Sequence, residues 1–195
     1  MARITDPQKI ENVKRAVMEI IVDHGYSALS IDAIAKKAKV SGGYLYRHYN
    51  SKEELLEDTF ETSFLKFQEE VGRIFTFSSN FYEFVSNFVN MVFELTIEDS
   101  IYSQMIATIL IDKNMEKIME DDEISFFHES LDKLLHLGKK TGEINPQTTR
   151  EEMILVIMVI PFSYVIWKAQ DPQYEAYFQK EHAEGIIRLC VNALK

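Results

Sequence analysis

Between residues 30 and 52 the chain gathers side chains suited to gripping a polyanion. Ser30 and Ser41 carry hydroxyls, Gly42 and Gly43 offer bare backbone, and Tyr44, Tyr46, Arg47, His48 and Lys52 add phenols, an imidazole and cations. Backbone N–H groups at a helix start, together with the Ser41 hydroxyl, can bind phosphate oxygens. A glycine without Cβ lets the backbone come close to a duplex. The Tyr46 phenol can donate to phosphate, and Lys52 can add a charge contact. Taken alone, a Tyr-Arg-His cluster reads as a solvated helix face, so the elements that position it decide the matter.

Other chemistries find less support. No nucleophile–base–orienter set and no phosphate loop stand out. His24, His128, His136 and His182 lack metal-ligand spacing, and the run Glu120-Asp121-Asp122-Glu123 lacks the spacing and turn glycine of a calcium loop. The one cysteine, Cys190, excludes an internal disulfide and a multi-thiolate zinc site, and its apolar neighbours mark it as an inert core thiol. No cofactor and no metal are called for.

The positioning elements read as helices. Asp6 caps a helix opened by Pro7 and carrying Ile10, Val13, Val17, Ile20 and Ile21, with Gly25 as its stop. Ser30 opens a short helix with Ile34, Ala35 and Ala38 on one face. Ser41 caps a third that ends near His48 or Tyr49. Two short helices joined by a three-to-four-residue turn and buttressed by a longer one form a helix-turn-helix. Leu45 and Tyr49 should then face the core while Tyr44, Arg47 and His48 face out. Ser51 with Glu54 makes a capping box for a fourth helix of about 25 residues, running roughly 37 Å. Beyond it, Asn80 with Glu83 opens a helix, another spans about 101–111, and one from about Asn114 is expected to end at Gly138. Thr149 with Glu152 opens the apolar run Met153 to Trp167, where Pro161 should kink the helix. A last helix is expected over about 174–194. Eight or nine helices and no strand pairing define an all-α chain.

Composition agrees. Gly and Pro together number 11 of 195 residues, too few for a turn-rich β fold, and 46% of residues are apolar. Residues 1–52 hold nine basic and five acidic side chains, a net +4, whereas the remainder carries 12 against 26, a net −14. Such asymmetry suggests that the basic part meets a polyanion. The apolar run falls short of a membrane span, and no signal-peptide pattern opens the chain, so a cytoplasmic location without membrane association is expected.

With these residues in order, a resemblance emerges. Gly25-Tyr26-Ser27-Ala28-Leu29-Ser30-Ile31, then Val40-Ser41-Gly42-Gly43-Tyr44-Leu45-Tyr46-Arg47-His48-Tyr49 and Ser51-Lys52-Glu53-Glu54-Leu55, resemble the DNA-binding domain of TetR/AcrR-type transcriptional regulators. The resemblance implies operator contacts at Ser30, Ser41, Gly43, Tyr44, Tyr46, His48 and Lys52; Gly42 and Arg47 join them from the reading of the helix face. Two slots depart from the family's pattern: Tyr44 stands where small residues are usual, and Tyr49 replaces a Phe and should still fill the core side.

Beyond residue 55 the resemblance is one of helix order. It implies an all-α architecture: an N-terminal three-helix helix-turn-helix domain (1–52), joined by a long helix to a C-terminal helical ligand-binding and dimerisation domain (53–195). A helix apolar nearly all round must be buried on every side, which fits homodimerisation through helices at about 149–170 and 174–194; a monomer core is the alternative. Phe64, Phe88, Met91, Met105, Phe127, Met158 and Phe162 are candidate lining for an apolar effector site, although core packing explains each equally well. The expected function is a ligand-responsive transcriptional regulator, a repressor that binds near-palindromic double-stranded operator DNA as a dimer and is released by a small apolar or amphipathic effector. A small-molecule-binding helical protein with vestigial DNA binding, or an all-helical enzyme, are the other readings.

Overall fold

The computed structural model describes residues 6–111 and 121–195, without the side chains of residues 111 and 121–127. Helices dominate, and no strand occurs among the described residues. The chain divides into two compact units, Met1–Ser63 and Phe64–Lys195.

The first unit holds α1 (Pro7–His24), a 3₁₀ turn (Tyr26–Ala28), α2 (Ile31–Ala38), α3 (Gly42–His48) and the first turns of α4 (Lys52–Phe77). Their ends carry the caps that their residues suggest. Asp6 accepts from the Gln8 amide at 3.2 Å, Ser30 from Ala33 at 3.1 Å, Ser41 from Tyr44 at 3.1 Å and Ser51 from Glu54 at 3.0 Å. The α2–α3 turn closes with Lys39 in the left-handed region (φ 56°) and the Val40 amide donating to the Ala35 carbonyl at 3.0 Å, a helix stop that usually employs glycine. Val13, Val17, Ile34, Leu45 and Leu55 are fully buried and form the core. The division between the units falls within α4, after Ser63, and Leu55, Leu56, Thr59 and Phe60 in the first turns of that helix are buried.

In the second unit α5 (Phe81–Glu98) is central, packing on α6 (Ser100–Ile111), α7 (Asp121–Thr141), α8 (residues 150–168) and α9 (Lys180–Ala193). Phe81, Val85, Phe88, Val89 and Val92 recur at helical spacing and are fully buried. The Glu143 carboxylate accepts from the amides of Phe81 and Tyr82 at 3.1 and 3.0 Å, satisfying donors that α5 leaves open at its start.

Two expectations change, and the helix around Pro161 takes a form that the sequence did not suggest. Gly138 does not end its helix: α7 continues to Thr141 and stops before Gly142, at φ 73°. A Cβ at Gly138 would lie 2.9 Å from Ile144 and 3.2 Å from Phe81, so this glycine permits close packing rather than a turn. The last helix begins at Lys180, not near 174. Residues Tyr174–Tyr177 form a 3₁₀ turn, because Phe178 is drawn into the core against Phe93 and Tyr164, at ring distances of 5.1 and 5.8 Å. Finally, Pro161 acts through a π turn. Helix α8 runs as Arg150–Ile154, a π segment Leu155–Val159, then Ile160–Lys168. In the π pattern, with Ile160 donating to Leu155 five residues back, the next donor to the Val156 carbonyl would be the amide that Pro161 lacks. The Cys190 thiol supplies the donor instead, at 3.2 Å.

Candidate nucleic-acid interface and effector cavity

Within the first unit, α3 presents the residues that the sequence singles out. Leu45 is fully buried and Tyr49 nearly so, which leaves Tyr46 63% exposed, Ser41, Gly43 and Arg47 exposed, and Gly42 and His48 half-buried. Ser30 and Ser41 use their oxygens as helix caps, and each hydroxyl proton is still available to a phosphate oxygen. Lys52 lies over the Tyr26 ring at 5.2 Å and 3.7 Å from Glu53.

Tyr44 sits differently from the outward-facing position expected for it. Its ring tilts against His48 with centroids 4.6 Å apart, and its hydroxyl is buried without a hydrogen-bond partner among the described residues. A base edge approaching Tyr44 would meet ring carbon rather than the phenol oxygen.

Tyr49 does more than fill the core. Its hydroxyl donates to Asp58 Oδ2 at 2.6 Å. The other carboxylate oxygen accepts from Lys14 Nζ at 2.7 Å, and the ammonium also reaches Thr62 Oγ1 at 2.8 Å. Burial disfavours ionisation of Asp58, but the bonds from Lys14 and Tyr49 outweigh it and hold the carboxyl below its usual range. Burial, then the bond to Asp58, pushes the Tyr49 phenol above its ordinary value. Asp58 was not legible as a functional candidate; the signal was the extra hydroxyl where the family's pattern has Phe.

In the second unit an apolar cavity of about 20 Å³ lies among α4, α5, α7 and α8. Phe67, Val71, Phe84, Phe88, Leu131, Leu134, Ile157 and Met158 line it, with Gln68 and Ser130. Phe67, Phe88 and Phe162 form a triangle of edge-on rings with centroids 5.9–6.4 Å apart. Of the sequence candidates, Phe88 and Met158 line the cavity and Phe162 backs it. Phe64 packs on Phe67 with ring centroids 6.2 Å apart, Met105 is buried outside the lining, and Met91 is half-buried away from it. The Phe127 side chain lies outside the described residues. Ile157 and Met158 belong to the π turn, and so does Leu155, which points out with 56% of its surface exposed. Trp167, farther along α8, is 69% exposed, and Leu189 of α9 is 52% exposed.

Among the described residues no cluster of three or more His, Cys, Asp or Glu side chains could hold a metal ion, and no helix is long and apolar enough to cross a membrane.

Residues 15–59 match the family model described as bacterial regulatory proteins, tetR family. Over 188 residues the chain is 25% identical to an uncharacterized HTH-type transcriptional regulator, YhgD, of Bacillus subtilis, covering 92% of each chain. A fatty acid metabolism regulator protein of Bacillus subtilis is 24% identical over 162 residues, 82% of this chain and 84% of the relative. The fold matches that of the Bacillus subtilis transcriptional regulator FadR, solved in complex with stearoyl-CoA, with a TM-score of 0.69, 19% identity, and 95% and 99% of the two chains covered.

Proposed function

From the match of residues 15–59 to the tetR family model we propose that the chain is a TetR-family transcriptional regulator that binds a near-palindromic operator as a homodimer and is released by an acyl thioester. The observation that carries the DNA half is the α2–turn–α3 geometry: two capped helices whose core-facing Leu45 and Tyr49 leave Ser41, Gly43, Tyr46 and Arg47 exposed. On this reading Ser30, Ser41, Tyr46 and Lys52 hold phosphates, Gly42 and Gly43 allow close approach, and Arg47, His48 and the Tyr44 ring edge face the bases of a major groove. The strongly acidic remainder of the chain repels non-specific DNA and leaves the basic end to dock. The site of action is the cytoplasm, and the DNA domain proper is 1–52, with 53–195 serving effector and dimer.

Leu155, Trp167 and Leu189 support pairing through α8 and α9, since exposed large apolar side chains on two adjacent helices call for cover. The effector class rests on the likeness to Bacillus subtilis regulators described as a fatty acid metabolism regulator and as FadR solved with stearoyl-CoA, and on the largely apolar, ring-lined wall of the cavity. At about 20 Å³ that cavity has room for roughly one water, so an acyl chain must displace side chains to enter. Met158 and the π turn are the adaptable part of its wall. Because the same turn bears Leu155 on the proposed dimer face, filling the cavity would disturb dimer geometry and thereby the half-site spacing of about 34–36 Å. The shift can be no larger than the effector's differential affinity for the two states.

The test is in-vitro selection of duplexes from a random pool, with sizing of the complex and challenge by acyl-CoA esters of graded chain length. A near-palindromic motif bound by an even number of protomers, and released by some chain length, is expected. Enrichment of nothing at low salt by a folded dimer would overturn the DNA reading. Enrichment without release would overturn the effector reading alone.

A further inference from the structure

The recognition helix α3 is seven residues long, too short to be stable alone, so its orientation depends on what anchors its ends. At its end stands Tyr49, whose amide closes the helix on the Leu45 carbonyl at 2.9 Å. Where the pattern that this segment resembles has Phe, the hydroxyl is an addition, and it is engaged: it donates to Asp58 Oδ2 at 2.6 Å. Asp58 stands two turns into α4. Its second oxygen takes the Lys14 ammonium of α1 at 2.7 Å. One carboxylate therefore joins α1, the end of α3 and α4.

We propose that Asp58, acting through the Tyr49 hydroxyl, is a positioning residue that holds the recognition helix at the angle at which it reads DNA. The proposal rests on the DNA-binding reading above and goes beyond it, because neither residue would touch the duplex. Lys14 alone suffices to balance the charge of Asp58. What the phenol adds is direction, a short charge-assisted bond on a rigid ring with two torsions. Core filling needs only that ring; the bond fixes its angle about α4. Helix α4 is continuous from Asp58 past Ser63 into the second unit, so any rotation of it displaces the carboxylate and draws Tyr49 along.

Tyr49→Phe is the clean variant, keeping the ring and removing only the O–H. Full-length wild type, Tyr49→Phe, Asp58→Ala and Asp58→Asn are titrated against the duplex that wild type enriches from a random pool, and against a scrambled duplex of equal length at the same salt. Thermal melting is followed in parallel. Tyr49→Phe is expected to melt a few degrees below wild type, as the loss of one hydrogen bond requires, to bind scrambled DNA equally, and to lose about tenfold on the enriched duplex. Asp58→Asn, which retains an acceptor oxygen, should recover part of the discrimination that Asp58→Ala loses. The double variant Tyr49→Phe/Asp58→Ala should discriminate no worse than Asp58→Ala. An unchanged ratio of enriched to scrambled binding in Tyr49→Phe would overturn the proposal alone. Losses on both duplexes in proportion to lost melting temperature would reduce the contact to simple stability and overturn it as well. Failure of wild type to enrich any sequence would overturn it together with the DNA reading.

Discussion

The two units hold their working surfaces by opposite means. The N-terminal unit turns a polar surface outward and secures it with directional bonds: helix caps at Asp6, Ser30, Ser41 and Ser51, and the Lys14–Asp58–Tyr49 network. The C-terminal unit turns its candidate site inward and surrounds it with Phe67, Phe84, Phe88 and Met158, which touch without directional demands. A surface that must meet a repeating phosphate lattice requires fixed angles, and hydrogen bonds supply them. A cavity that must yield to an apolar guest is better served by rings and a thioether that can slide. The difference follows from what each surface is proposed to meet.

That contrast can be broken at several places. The largest effect is expected in the aromatic unit: Phe88→Ala should cost about 3–5 kcal/mol, measured by denaturant unfolding, while opening enough space for a small apolar guest. If added benzene-sized ligands failed to raise the melting temperature of this variant, the adaptable-cavity view would suffer. In the polar unit Asp58→Ala leaves the largely buried Lys14 ammonium without its counter-charge and should cost about 2 kcal/mol. Hydrogen exchange should place that loss in α1 and α3 and leave α5 protected. Across the α8–α9 contact, Cys190→Val keeps an apolar side chain but removes the donor to Val156. The expected cost is about 1 kcal/mol, with Cys190→Ser closer to wild type in the same melt. A change confined to noise would mean that the carbonyl finds another donor.

Acid should reach both units. Glu143 and Asp58 lie below their ordinary values in the folded chain, each held there by hydrogen bonds that outweigh burial. A carboxyl with a depressed folded value contributes stability that is complete above its unfolded value and lost as pH falls through the folded one. Melting temperature should therefore hold near neutrality and drop below about pH 4, with a shallower drop in Glu143→Gln. The smallest effect belongs to the turn: Lys39→Gly, at φ 56°, should gain about 0.5–1 kcal/mol by relieving a left-handed side chain. No gain in melting temperature would show that the lysine is compensated locally.

Helix identities were legible because capping and periodicity are local. Ser30, Ser41, Ser51, Asn80 and Thr149 each cap the helix they are expected to open. Gly138 misled for the converse reason. Its sequence context, a glycine followed by Lys139 and Lys140, is that of a helix end, but what decides its role is Ile144 and Phe81 folding back against it. Tyr174 misled similarly, since what ends the turn ahead of the last helix is the packing of Phe178 on Phe93.

The proposed recognition surface was therefore written in the chain itself. Gly43, Tyr46 and Arg47 occupy neighbouring positions on one short helix capped by Ser41, and helical geometry turns them outward once Leu45 is buried. The tertiary structure alone decided which polar groups meet across long sequence separations. Asp58 on Tyr49 and Lys14, Cys190 on Val156 and Glu143 on the start of α5 join residues 9, 44, 34 and 61–62 positions apart. No local periodicity encodes such a pairing, because it exists only after apolar burial has brought the helices together.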